Sequence, residues 1–151
     1  MHHPYYETIL LIERAHRHFL EVVKADLDRQ GIQDINNVQA LILYNIGVDE
    51  MTVGELMVRG YYLGSNVSYN VKKLVENEYL LQERSPHDKR SVRVKLSEKG
   101  LTLQKKMAEN FETQSGALSN ASLTPEELTH MLEVLRKLER FWTGLVNYGG
   151  G

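Results

Sequence analysis

Cysteine is absent from this 151-residue chain. Its absence excludes disulfides, thiol redox sensing and thiolate metal sites together, and it suits a reducing compartment such as the cytoplasm. Long apolar runs are absent too, since none approaches the roughly 18 residues that a membrane-crossing helix needs. The opening stretch, MHHPYYETIL, includes acidic Glu7 and no small-residue cleavage site, so it does not read as a secretory signal. No nucleophile elbow, phosphate loop or His-Glu-x-x-His motif occurs, and His87 beside Asp88 is a turn dipeptide rather than a dyad. A chain without catalytic chemistry is expected. The six histidines lack ligand spacing. His2 and His3 lie at the terminus, His16 and His18 diverge on one helix, and His87 and His130 stand apart. No metal and no cofactor are expected.

Nor does one sign of charge dominate, the net being −2. The informative quantity is where the charge sits. Between Thr52 and Lys106 there are 11 Lys and Arg against 6 Asp and Glu, whereas the remainder holds 7 against 14. A basic block inside an acidic frame is the layout of a DNA-reading module on a nearly neutral chain. A solvated face has the same charge count. Apolar residues at 42% and charged residues at 25% are ordinary for one globular domain with a real core.

Periodicity predicts the elements. Residues 5–30 read as a long helix whose Ile9, Ile12, His16, Phe19, Val23 and Leu27 share one face, with Gly31 as its stop. That stripe serves equally as core or as a dimer seam. Asn36 and Gln39 form a capping pattern for a second helix to Ile46, with Val38, Leu41, Ile42 and Ile46 inward. Thr52 and Glu55 open a short third helix, broken by GYYLG at 60–64. A fourth helix runs from Ser65 to about Asn77. Val67, Val71, Leu74 and Val75 are expected inside, and Asn66, Ser68, Tyr69, Asn70, Lys72 and Lys73 outside. Two short helices, the second polar and basic outside, make a helix-turn-helix. The strands 79–84 and 91–96 follow as a hairpin, or wing, with a basic turn at 85–90. Ser97 caps a helix carrying Leu103, Met107 and Phe111, and residues 114–122 read as a loop or frayed end. Thr124, Pro125 and Glu127 open the last helix, whose Leu128, Leu132, Leu135, Leu138, Trp142 and Leu145 line one broad apolar face. The fold class is mainly α with a small β-hairpin wing, a winged helix-turn-helix of about six helices.

The stretch 52–100 resembles the DNA-binding core of the MarR (multiple-antibiotic-resistance regulator) family. The likeness lies in the recognition-helix pattern Ser65, Asn66, Val67, Ser68, Tyr69, Asn70, Val71, Lys72, Lys73, Leu74. It extends to the wing's Asp88, Lys89, Arg90 and to Leu96, Ser97, Glu98, Lys99, Gly100. Three features depart from the family, one being the GYYLG turn at 60–64, which is longer and more aromatic than the usual form. Glu78 and Tyr79 stand where it has glycine before the first wing strand, with Asn77 expected to take the left-handed conformation instead. Lys89 stands where arginine is common.

The resemblance implies a two-fold homodimer on pseudo-palindromic double-stranded DNA, with repression as the family's habit. Together with the wide apolar faces, it implies that helical regions 5–35 and 101–148 dimerise, with 36–100 as the DNA-binding lobe. Asn66, Ser68, Tyr69 and Asn70 would meet base edges, Lys72 and Lys73 would meet phosphates, and Ser65 would belong to the same DNA-binding set. Arg90 would enter the minor groove, Asp88 would hold the wing's shape, and Lys89 and Arg93 would add basic contacts. In the family, a cleft between dimer helices and DNA-binding lobe takes small aromatic or phenolic effectors. His16, Phe19, Tyr44, Tyr61 and Tyr62 are the candidates for lining it here, with ordinary packing as the alternative. The rival from another class is a winged-helix protein-interaction module without DNA binding.

Overall fold

The structure is a computed structural model, and it describes residues 3–47, 50–58, 64–84 and 92–148. Six helices and three strands occur among them, in two compact units, residues 1–108 and 109–151. No helix among the described residues is long and apolar enough to cross a membrane.

In the first unit, α1 (Pro4–Arg29) starts with Pro4 in its first turn and the His3 ring accepting the Tyr5 amide at 3.2 Å. It ends where Gly31 turns left-handed, φ 73°, and the Ile32 amide returns to the Leu27 carbonyl at 3.0 Å. Then α2 (Asn37–Ile46) opens with the expected capping box: Asn36 accepts the Gln39 amide at 2.8 Å, and Gln39 accepts the Asn36 amide at 3.0 Å. Ala40, Leu41, Ile42, Leu43 and Ile46 are all buried, so α2 is the unit's central pillar.

A two-residue strand, β1 (Met51–Thr52), precedes α3 (Val53–Val58), where Thr52 Oγ1 accepts the Glu55 amide at 3.0 Å. Next come α4 (Gly64–Glu76), β2 (Leu80–Arg84) and β3 (Val92–Leu96). The antiparallel sheet has the order β1-β3-β2, with Met51 opposite Val94 and the β2–β3 ladder running from Leu80 opposite Leu96 to Arg84 opposite Val92. The largest fully buried side chains are Ile42, Leu43, Ile46, Met51, Val67, Leu74, Leu80 and Val94, from α2, α4 and all three strands. Val23 and Leu27 of α1, Leu56 of α3, and Leu103 and Met107 of the helix that follows the sheet join them in the core.

Ser97 Oγ accepts the Gly100 amide at 3.1 Å and so caps α5 (Glu98–Ala121), which runs on into the second unit. There α6 (Pro125–Tyr148) opens with the reciprocal Thr124–Glu127 box, both bonds 3.1 Å.

Three expectations are corrected. Residues 114–121 are helical, not loop. Ser, Gly and Asn each cost a helix under about 1 kcal/mol, and a long helix already nucleated continues through them. β1 was not anticipated, because two residues carry no period and become a strand only by pairing with β3. The left-handed residue after α4 is Glu78, φ 67°, rather than Asn77. Its position repeats that of Gly31, since the Tyr79 amide reaches back five residues to Leu74 at 2.9 Å just as Ile32 reaches Leu27.

Candidate nucleic-acid interface

Helical spacing sorts α4 into two faces. Val67, Val71 and Leu74 are buried, and Asn66, Ser68, Tyr69 and Lys72 are exposed. Lys73 is half-buried; its ammonium lies 3.4 Å from Glu76 and 5.7 Å from the centre of the Tyr69 ring. Ser65 falls in the first turn. The expected outward set holds except at one position. Asn70 is only 7% exposed, and its side-chain oxygen accepts the Gln39 amide nitrogen at 3.1 Å. Three residues after Val67 and four before Leu74, it shares their inward face, and a buried amide is tolerated there because it has a partner. Asn70 is thus an inward residue of α4 and not one of its outward face.

Beyond α4 stands the wing. On β3, Arg93 and Lys95 are exposed and alternate with buried Val94 and Leu96, and Arg93 pairs in register with Glu83. Arg84 ends β2 exposed. The turn with Asp88, Lys89 and Arg90 lies outside the described residues.

The corner between α4 and β2 holds a polar cluster that sequence reasoning missed. Tyr79 is buried, and its hydroxyl donates to Asp34 Oδ1 at 2.8 Å. Lys99 donates to Asp34 Oδ2 at 2.9 Å and to the Asn77 carbonyl at 3.0 Å, and its ammonium stands 4.2 Å from the Tyr79 ring centre. The Asn77 amide donates to the Asp34 carbonyl at 3.1 Å. Burial acts to raise the Asp34 pKa, but the hydrogen bonds from Lys99 and Tyr79 and the Lys99 charge outweigh it and hold the carboxyl below its ordinary 3.8. Burial, then the bond to Asp34, pushes the Tyr79 phenol well above its ordinary 10.0. The family-like run from Leu96 to Gly100 thereby acquires physical content. Ser97 caps α5, Lys99 joins the cluster, and Gly100 leaves room for the Tyr79 carbonyl, which a Cβ there would meet at 2.2 Å.

Of the expected effector residues, His16 and Phe19 lie on an exposed face of α1, Tyr44 is half-buried on α2, and Tyr61 and Tyr62 lie outside the described residues. A cavity of about 520 Å³ includes Leu27, Ile32, Ile35 and Asn36 in its wall, and one of about 360 Å³ includes Ile32, Tyr79, Leu103 and Lys106. Neither is lined by the expected residues. Among the described residues no group of three His, Asp or Glu could hold a metal. In α1 only Val23 and Leu27 of the predicted stripe are buried, while Ile12 and Phe19 are exposed. In α6, Met131, Leu132, Leu135, Phe141, Leu145 and Val146 are exposed, Val146 to 79%.

A helix-turn-helix with an outward polar face, followed by a basic two-stranded wing, defines a winged-helix protein, and residues 35–100 match the family model described as a winged helix DNA-binding domain. The chain is 38% identical over 145 residues to the exopolysaccharide II synthesis transcriptional activator ExpG of Rhizobium meliloti (strain 1021), covering 96% of this chain and 75% of that protein. The chain belongs to the MarR family of winged helix-turn-helix transcriptional regulators. Solved structures share the fold. A MarR transcriptional regulator from Methanosarcina mazei Go1 has TM-score 0.74 and 20% identity, over 89% of this chain and 96% of that one. FabT of Streptococcus pneumoniae, solved in complex with DNA, has TM-score 0.71 and 19% identity, over 93% and 99%.

Proposed function

We propose that this chain is a cytoplasmic, sequence-specific double-stranded DNA-binding regulator of transcription that acts as a homodimer on a pseudo-palindromic operator. The observation that carries the reading is the outward face of α4, where Asn66, Ser68, Tyr69 and Lys72 stand exposed, followed in the chain by a wing whose strand β3 exposes Arg93 and Lys95. Asn66 and Ser68 offer donors and acceptors to base edges, Tyr69 offers a ring face and a hydroxyl, and Lys72, Lys73 and Arg93 neutralise phosphates. Ser65 joins them at the start of the helix. Arg90 enters the minor groove, Lys89 flanks it, and Asp88 shapes the turn. Asn70 leaves the contact set and becomes an internal residue.

Regions 5–35 and 101–148 dimerise and 36–100 reads DNA. Support comes from the exposed apolar residues of α1 and α6, which are costly to leave in water. Two-fold pairing would set the recognition helices about 34 Å apart, one DNA turn. A small aromatic or phenolic effector, bound near His16, Phe19 and Tyr44, would act by differential affinity for two spacings of the lobes. The family's habit favours repression; a second reading, activation, is favoured by the relative named as a transcriptional activator.

The test is fluorescence anisotropy with duplexes from the chain's own upstream region at several salt concentrations, beside Arg90→Ala. Tight binding to one pseudo-palindrome is expected, with a log–log salt slope of about −0.9 per phosphate neutralised, weakened in Arg90→Ala without loss of fold. Weak, equal binding to every duplex, unchanged in Arg90→Ala, would refute the DNA reading and favour a protein-interaction module. In vitro transcription on the bound promoter separates the two signs of regulation.

A further inference from the structure

The recognition helix is held at two points by one short segment. At its middle, buried Asn70 accepts a hydrogen bond at 3.1 Å from Gln39, itself only 6% exposed. At its end, the Asn77 side chain donates to the Asp34 carbonyl at 3.1 Å. Both partners belong to residues 34–39, the end of the link from α1 and the first turn of α2. That segment is itself tied at both ends. The Asn36–Gln39 box closes its far end, and Tyr79 and Lys99 hold Asp34 at its near end, at 2.8 and 2.9 Å.

A buried amide pair between two helices is an inefficient way to add stability, because apolar side chains of similar volume fill the same space without desolvating polar groups. Its distinctive effect is selection among packings. Val67, Val71 and Leu74 make a greasy stripe that tolerates a shifted or slightly rotated α4, whereas a hydrogen bond from Gln39 to Asn70 forms at one rotation only. A rotation of one residue is about 100° and would carry Tyr69 and Lys72 off the outward face.

We propose that residues 34–39 are a positioning frame for the recognition helix: the Gln39–Asn70 pair sets its rotation, the Asn77–Asp34 clasp its axial position, and together they determine which bases the exposed face reads. Gln39 and Asn70 are positioning residues and touch no base. The proposal rests on the DNA-binding reading above.

The experiment compares the wild-type chain, Gln39→Met/Asn70→Leu, Asn70→Ser, and the reversed pair Gln39→Asn/Asn70→Gln. Each is measured for thermal stability and for affinity to the operator and to a duplex changed at one base of each half-site. The apolar double variant also loses the Gln39 bond to the Asn36 amide, so it is expected to melt slightly below wild type, yet to lose about tenfold in operator affinity, with affinity for the changed duplex within about twofold. Asn70→Ser should lose discrimination likewise, and the reversed pair, which rebuilds the bond, should recover most of it. If the apolar variant does not fold, the Asn70→Ser and reversed-pair comparison decides alone. Wild-type discrimination in every folded variant overturns the proposal, as does a reversed pair no better than Asn70→Ser. Wild-type protein that discriminates no duplex at all overturns the proposal together with the DNA-binding reading, and only that outcome touches the latter.

Discussion

Two glycines in the same helix are predicted to respond to the same substitution with opposite sign. In α5, Gly116 has nothing within 4 Å of where a Cβ would stand, so Gly116→Ala should express only helix propensity and stabilise by up to about 1 kcal/mol. At Gly100 a Cβ would stand 2.2 Å from the Tyr79 carbonyl oxygen and 3.3 Å from its carbon, both backbone atoms. An unstrained carbon–oxygen contact is about 3.3 Å, so the first turn of α5 or the Tyr79 carbonyl must move by about 1 Å. That carbonyl accepts the Ser97 amide at 3.1 Å, and Ser97 caps α5 through the Gly100 amide at 3.1 Å, so the movement strains two hydrogen bonds at once. Overpacking of this kind costs about 1–3 kcal/mol and partial weakening of the two bonds together about 1 kcal/mol, against a propensity gain of about 1 kcal/mol. Gly100→Ala should therefore destabilise by about 1–3 kcal/mol, and the two sites should differ by about 2–4 kcal/mol. Urea unfolding at matched protein concentration, with the slope checked for constancy, reads both. A Gly100→Ala chain as stable as wild type would refute the steric argument and with it the physical account of the glycine in the 96–100 run.

Other outcomes follow from the same geometry. Glu78→Gly should stabilise by about 1 kcal/mol in thermal melts, because a glutamate held at φ 67° bears a left-handed penalty that glycine does not; a loss instead would mean that its side chain matters more than its backbone. The Tyr79 phenol has a raised pKa, so its contribution is complete below pH 10 and lost as pH climbs beyond 10 towards the folded value. Tyr79→Phe should flatten that alkaline loss in a pH series of melts. Asp34 has a lowered pKa, so its contribution holds above 3.8 and is lost as pH falls further through the folded value. Phe141→Glu places a charge on the exposed apolar face of α6 and should shift sedimentation towards monomer and weaken operator binding; an unchanged dimer would remove this face from the interface. Arg93→Ala should lower the magnitude of the salt slope by about 0.9 per protomer without altering which duplex is preferred.

What the sequence disclosed and what it hid divide along a physical line. The caps at Asn36, Thr52, Ser97 and Thr124 were legible because each is completed within three residues by its own helix. The wing was legible from the alternation of Val92, Val94 and Leu96. Asn70 is polar yet internal: its position relative to Val67 and Leu74 puts it inside, and its partner Gln39 lies 31 residues away and leaves no local trace. The same holds for β1, defined by β3, and for Asp34, whose partners Tyr79 and Lys99 lie 45 and 65 residues on. At Glu78 the expectation followed residue preference, whereas the backbone closure from Tyr79 to Leu74 decides which residue turns left-handed.

The same division bears on how such a regulator tolerates change. The exposed residues of α4 contribute little to the core, so under the proposed function replacing Asn66, Ser68 or Tyr69 should alter what is read at small cost to folding. The inner contacts behave otherwise, because Asn70, Asn77, Tyr79 and Lys99 all converge on residues 34–39 and each is a partner the others depend on. Substitutions there should be non-additive, since removing one member leaves a polar group without its bond. A recognition face that is free to vary is useful only on a helix that is not free to turn. The polar contacts that hold α4 are therefore where specificity and stability are coupled, although the proposed frame itself meets no base.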